Sequence, residues 1–230
     1  MTPETRAALA AARAEKRPVV LATRLPDGAQ HLLPDPALPA ALNEPALALL
    51  RTDRSRALEI GSERWLFRPY NPPLRLMIVG AVHIAQVLVP LARPLGLDPI
   101  IIDPRLALAT EERFPDTRRI GDWPDTAFAA LAPDHRSAIV ALTHDPRIDD
   151  AALDSALRSE AFYIGALGSR ASHAARLLRL SALGHGDTVL TRIRGPVGLA
   201  IGAVTAPEIA LSILAEIVAV LRASALAARD

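Results

Sequence analysis

Four short stretches of this chain carry residue types and spacings that point to chemistry, two of them suited to holding phosphorylated ligands. The first is GAVHIA, residues 80–85, which follows the apolar run Leu76-Met77-Ile78-Val79 and leads into a helical pattern. Gly80 supplies a tight turn at a strand end, Ala85 is small enough for close helix–strand packing, and helix N-terminal amides then face an anion. The middle glycine of G-x-G-x-x-G/A, which lets the backbone approach a pyrophosphate, is replaced by Val82. Asp103 ends the next strand at roughly the 20-residue spacing of a ribose-binding acid. Arg105, just beyond it, is placed to meet a 2′-phosphate instead, and His83 at the helix start either touches a phosphate or caps locally.

The second stretch is THDPRIDD, residues 143–150, after the apolar run SAIVAL. Thr143 and His144 emerge there beside Asp145, and a histidine among carboxylates serves as a general base or metal ligand. Turn chemistry accounts for the rest, with Asp145-Pro146 making the turn and Asp149 or Asp150 capping the next helix. The third is YIGALGSRASHAARL. Here Gly165 and Gly168 flank a strand end, Ser169 starts a helix, and Arg170 and His173 fall in its first turns, a second anion-binding loop with a cation added. The fourth, RIRGPVGLAIGAVTAPE, sets Gly195, Gly198 and Gly202 ahead of the final helix, as a loop over the site or a tight connection. His31, His135 and His185 stand alone in polar surroundings and read as surface residues.

The elements that must position these stretches fall into two parts. Residues 1–73 give a helix at the start, a strand PVVLAT (18–23), an Asp27-Gly28 turn, QHLL, a helix near 38–51, ALEI, a Gly61-Ser62 turn and RWLFRPY. That is a small α+β segment, ended by Asn71-Pro72-Pro73, a break that no helix or strand interior tolerates. Residues 74–230 alternate instead: LRLMIVG, a helix 82–95 kinked or shortened by Pro90, DPIIID, helical pieces near 106–113 and 124–131, SAIVAL, a helix near 149–158, AFYIGAL and a helix from Ser169 to about Leu183. A last helix is marked by a Thr205/Glu208 capping box and by Ile209, Ile213, Ile217 and Val220 on one face. Continuous apolar strands separated by helices mean an α/β, Rossmann-like parallel sheet with helices on both faces. In such a sheet ligands bind beyond the carboxyl ends of the strands. Every motif above falls at such an end.

Composition narrows the function. The chain has 230 residues, half of them hydrophobic, with a net charge of +1, so no polyanion-binding surface is indicated and no nucleic-acid partner is expected. The absence of cysteine removes disulfides, thiolate metal sites, cysteine nucleophiles and a persulfide carried by this chain. The start carries charged residues among alanines and reads as an amphipathic helix rather than a signal peptide. Charges interrupt the most apolar stretches, so no membrane span is expected and a cytoplasmic location is the expectation. On the residues alone three readings stand: a binder of a phosphorylated nucleotide, an NAD(P)-dependent oxidoreductase, and a nucleotide-sensing scaffold without chemistry.

Taken together, PPLRLMIVGAVHIAQ, IDPR, RFPD, LTHDPRIDD, AFYIGALGSR with HAARL behind it, and GPVGL with PEIALSILAEI resemble one family, in order, over about 70–230. That family is XdhC/CoxI, the xanthine dehydrogenase accessory proteins, and ALALLRTDRSRALEIGSERWLFRPYNPP resembles the segment leading into its Rossmann domain. The resemblance implies a maturation chaperone rather than a dehydrogenase. Such a protein binds the molybdenum cofactor (molybdopterin), supports its sulfuration by a partner sulfurtransferase, and helps insert it into a molybdenum hydroxylase apo-enzyme. It also implies a homodimer, for which the last helix and SALAARD are candidates. Longer members carry a cysteine-containing GCVE-like segment with no counterpart among these residues, so the resemblance is to a short form. Roles that need a family cysteine do not carry over.

Overall fold

The structure, a computed structural model, describes the backbone of residues 1–226 and the side chains of 1–223. The terminal SALAARD, a candidate dimer contact by sequence, lies outside the described side chains. The chain divides into two compact units, Met1–Pro72 and Pro73–Asp230.

In the first unit, α1 (Pro3–Ala14) starts at Thr2, whose side chain accepts the Thr5 N–H. The strands β1 (Val19–Arg24) and β2 (Gln30–Leu33) form the hairpin that Asp27-Gly28 turns, with Gly28 at φ +74. After α2 (Ala40–Thr52), β3 (Arg56–Ile60) and β4 (Glu63–Tyr70) complete an antiparallel sheet of order β2-β1-β4-β3. Leu42, Ala46 and Leu49 of α2 cover Val20, Ala22 and Phe67, and α1 packs Leu9 and Ala12 on Val19. Alternation along β1 sends its apolar residues to both faces.

The second unit is built on β5 (Leu74–Val79), β6 (Leu97–Ile102), β7 (Arg118–Ile120), β8 (Ser137–Ala141), β9 (Tyr163–Ala166) and β10 (Ile193–Arg194). All pair in parallel, in the order β10-β9-β8-β5-β6-β7. The chain therefore runs outward from β5 through β7, returns to place β8 on the other side of β5, and runs outward again. The crevice at such a reversal is where open α/β sheets take ligands. Strand register aligns the edge: Val79 is level with both Ile102 and Ala141, and Ala141 with Ala166. Gly80, Asp103, Leu142 and Leu167 follow one residue later, side by side.

Both faces of this sheet are dry, which is why its strands read as unbroken apolar runs. Leu76 and Ile78 pack with α3 (His83–Ala92) and, later in the chain, with a helix carrying Ala210, Ile213 and Ile217. Met77 and Val79 face α4 (Pro124–Leu131), α5 (Pro146–Leu157) and Leu180 of α6 (Arg170–Ala182). A short α7 (Asp187–Leu190) precedes β10, and α8 (Ala206–Leu226) closes the unit, its start held by Glu208 accepting the Val204 and Thr205 N–H groups.

Four details differ from the sequence reading. Residues 106–113 are turns, not a helix: isolated bonds such as Leu108 N–H to Arg105 O close a loop anchored by the buried Phe114, while Leu106 is exposed. The helix expected near 149–158 starts at Pro146, because a proline at the first helical position follows a capping Asp145; neither Asp149 nor Asp150 caps it. The residues ahead of the last helix contain α7 and β10, too short to leave a periodic signal. His185 is not a surface residue: it is buried, with Nε2 2.6 Å from Asp154 Oδ1.

The central strand makes a direct test of this packing. Replacing the fully buried Ile78 by Ala is expected to cost about 2–5 kcal/mol, whereas Leu91→Ala on the exposed side of α3 stays within about 0.5 kcal/mol. Urea unfolding with hydrogen exchange read at β5 measures both.

Candidate functional site

The site begins with a glycine that cannot be anything else. Gly80 has φ +112, and a Cβ there would stand 2.7 Å from Thr143 Cγ2 and 3.3 Å from the Thr143 backbone nitrogen. The loop after β8 leans into the space the glycine leaves, so the two sides of the crevice touch at this point. The turn continues through the buried Ala81 to Val82, which flanks α3 with extended backbone and packs half-buried against the core of Ile78 and Leu88. No side chain caps α3, and its first-turn N–H groups have no partner within the helix. His83 is exposed at this start, whereas Ala85 is fully buried and serves helix–sheet packing.

Asp103 stands behind the turn, fully buried. Oδ2 accepts the Ala81 N–H at 2.8 Å and Arg105 Nη2 at 2.7 Å; Oδ1 accepts the Arg105 N–H and Nε, both at 2.9 Å. Four donors fill the four acceptor positions of a carboxylate. The Asp103 oxygens, placed by spacing for a ribose, are here committed to the turn and to Arg105. Burial pushes the carboxyl up, and the bonds from Arg105 and Ala81 outweigh it, leaving it below the usual carboxylate range. The Arg105 guanidinium is tied to that carboxylate rather than offered to a 2′-phosphate, and it also feels the charges of Asp145 and Asp149 across the crevice.

The second half of the site turns on Asp149, also buried. Its Oδ1 accepts the Thr143 N–H at 3.1 Å and the Thr143 hydroxyl at 2.7 Å, and Oδ2 accepts the His144 N–H at 3.1 Å. These bonds hold His144 at φ +61, an uncommon conformation for a non-glycine residue, and leave its ring exposed at the edge. Arg176 of α6 lies beneath, with Nη2 3.6 Å from Asp149 Oδ2 and 2.9 Å from the Leu167 carbonyl. Burial pushes the Asp149 carboxyl up, opposed by the Thr143 bonds and the Arg176 charge. Burial also pushes Arg176 down, opposed by Asp149 and Asp150.

Ser169 caps α6 by accepting the Ser172 N–H at 3.1 Å, and Arg170 is exposed beside it. Gly168, at φ +142, forms the turn before it. The other two glycines lie elsewhere. Gly165 is inside β9, where a Cβ would stand 2.5 Å from Val197 Cγ2, so it is a packing glycine. Gly195 follows the outermost strand β10 and is pressed against the His173 ring. Burial and the neighbouring Arg176 hold His173 below the usual histidine range.

Sequence reasoning gave Asp149 the role of a helix cap and passed over Arg176. Their signal was positional: each occupies an inward-facing place in its helix, Asp149 with Ala152, Leu153 and Ala156, and Arg176 with Leu180. Charged residues on an apolar stripe mark buried pairs.

A parallel sheet in this order, with a glycine turn at its reversal and a buried acid behind it, defines a Rossmann domain. The chain belongs to the XdhC family, matching the XdhC Rossmann domain over residues 76–217. It is 35% identical over 151 residues, 66% of this chain and 41% of the relative, to the molybdenum cofactor insertion chaperone PaoD of Escherichia coli. To a protein of Bacillus subtilis named as a probable subunit of xanthine dehydrogenase it is 32% identical over 149 residues, 64% of this chain and 43% of that protein. It thus spans under half the length of these relatives. A crystal structure described as a xanthine dehydrogenase from Bacillus halodurans shares the fold, with a TM-score of 0.73 at 23% identity, over 96% of this chain and 64% of that one. Among the described residues no helix is long and apolar enough to cross a membrane.

Asp103→Asn is expected to cost about 1–3 kcal/mol, since an amide nitrogen then faces donors. The lowered carboxyl fixes the pH course. Its stabilisation is present above the unfolded value of about 3.9 and lost as pH falls through the still lower folded value. The gap between the wild type and the Asp103→Asn variant in urea unfolding should therefore hold from neutral pH to about pH 4 and close only below it.

Proposed function

We propose that this chain binds the molybdenum cofactor at the carboxyl edge of β5, β8 and β9 and acts as a maturation chaperone for a xanthine-dehydrogenase-type molybdenum hydroxylase. One observation carries the reading: at the sheet's reversal, two buried carboxylates hold the loops of both sides in place while turning no acceptor toward a ribose. A dehydrogenase of this fold keeps such an acceptor free. The family supplies the ligand class, and the relative named as an insertion chaperone supports the role.

The residues fit the group. Gly80, His83, Thr143, His144, Gly168, Ser169 and Arg170 border the crevice, with Asp103 and Arg105 fixing one wall. The buried Arg176 has donors without partners, suited to an anionic part of a ligand. When bound, the cofactor brings the metal and the dithiolene chemistry. The chain itself, lacking cysteine, grips the phosphate and pterin and shields them from water. Residues 74–230 form the ligand-bearing domain and 1–73 a small companion domain. The hydroxylase apo-enzyme receives the cofactor, a sulfurtransferase acts on it while it is held, and the working form is a homodimer in the cytoplasm.

Purified from a host that makes the cofactor, the chain should retain molybdenum and release an oxidised, fluorescent pterin on denaturation. An eluate free of both overturns the reading. NAD(H) and NADP(H) should leave the thermal midpoint unchanged.

A further inference from the structure

Arg176 brings a charge into the interior with too few partners. Its side chain is 5% exposed, and Nη2 is engaged by the Leu167 carbonyl and Asp149, yet Nε and Nη1 are buried without a hydrogen-bond partner. Buried donors are rarely left so, and each one carries a desolvation cost. Gly168 lies over this guanidinium. A Cβ at Gly168 would stand 3.8 Å from Nη2, 3.9 Å from Nη1 and 3.3 Å from Ser172 Cβ, so the turn packs directly over the charge. The next residue, Ser169, caps the thirteen-residue α6, which presents its positive end here, with Arg170 exposed at its first position.

The other glycine turn is less suited to an anion. The Ala81 N–H is taken by Asp103, and Val82 stands where close backbone approach requires glycine. The Asp149 oxygens accept from Thr143 and His144, and its charge is paired with the guanidinium at 3.6 Å.

We propose that the Gly168 turn is an oxyanion subsite that takes a phosphate group between the start of α6 and the Arg176 guanidinium, reached by a small displacement of the Leu167–Ser169 loop. The assignment rests on the cofactor reading above and deepens it: the cofactor's phosphate sits at the β9 side of the crevice, not at the Gly80 turn. Nη1, which with Nη2 lies nearest the glycine, gains a partner when it binds.

The test uses the full chain from a host unable to make the cofactor, titrated calorimetrically with inorganic phosphate and pyrophosphate. The wild type should bind pyrophosphate saturably. Arg176→Met should weaken it by about tenfold or more, the loss expected when hydrogen bonds to a charged group go, with Arg176→Lys falling between. Gly168→Ala, which keeps the charge but strains the turn at φ +142, should weaken it too, and circular dichroism checks each variant's fold. Should Arg176→Met fail to fold, Gly168→Ala decides: wild-type affinity there overturns the proposal. So does the absence of binding to the wild type, or a folded Arg176→Met that binds equally well. In chain purified from a cofactor-making host, pyrophosphate that binds through Arg176 but fails to displace retained cofactor would overturn the cofactor as its source. Cofactor retained by the wild type and equally by a folded Arg176→Met sinks this subsite alone. Pyrophosphate bound as expected by a chain that retains no cofactor sinks the functional reading alone.

Discussion

A carboxylate shut away from water must find a donor for nearly every lone pair, and Asp103 finds all of them within the chain. The Ala81 N–H fixes the turn after β5, and the Arg105 backbone and guanidinium fix the loop after β6. Two loops at adjacent strand ends are thereby locked to one group. The rest of the edge is built against that lock: Gly80 receives Thr143, Thr143 is held by Asp149, and Asp149 rests on Arg176. A residue placed where related folds read a ribose has become part of the frame.

The two acids differ in how completely they are served. Asp103 has four donors and is held as the anion despite its burial. Asp149 has three close donors and a guanidinium at 3.6 Å, and burial pushes its carboxyl up. The first wall of the crevice is thus electrostatically closed, and the second retains unsatisfied capacity through Arg176. That asymmetry is the physical ground for placing an anionic ligand at the second wall.

The sheet was legible because its strands must be apolar on both faces. LRLMIVG, SAIVAL and AFYIGAL need no tertiary context to read as buried strands, and turn residues marked the hairpin at Gly28. Gly80, Thr143 and the Ser169 cap were legible from their position at strand and helix ends. The roles of Asp103 and Asp149 were not, because spacing says where a carboxylate lies and nothing of which donors reach it. Asp103 has the spacing of a ribose acid, and only three-dimensional contact shows its oxygens taken. The loop at 106–113 was misread because its local composition favours helix, while the single anchor Phe114 and its isolated turns come from packing.

The contact between Gly80 and Thr143 also bears on how such a chain changes over time. The missing Cβ of one residue and the methyl group of the other occupy what is in effect one shared volume, although the two lie far apart in the chain. A side chain gained at residue 80 needs room surrendered at residue 143, and the positive φ of residue 80 must still be accommodated. A single packing constraint thus couples the two halves of the crevice, and a change at either position has to be met at the other.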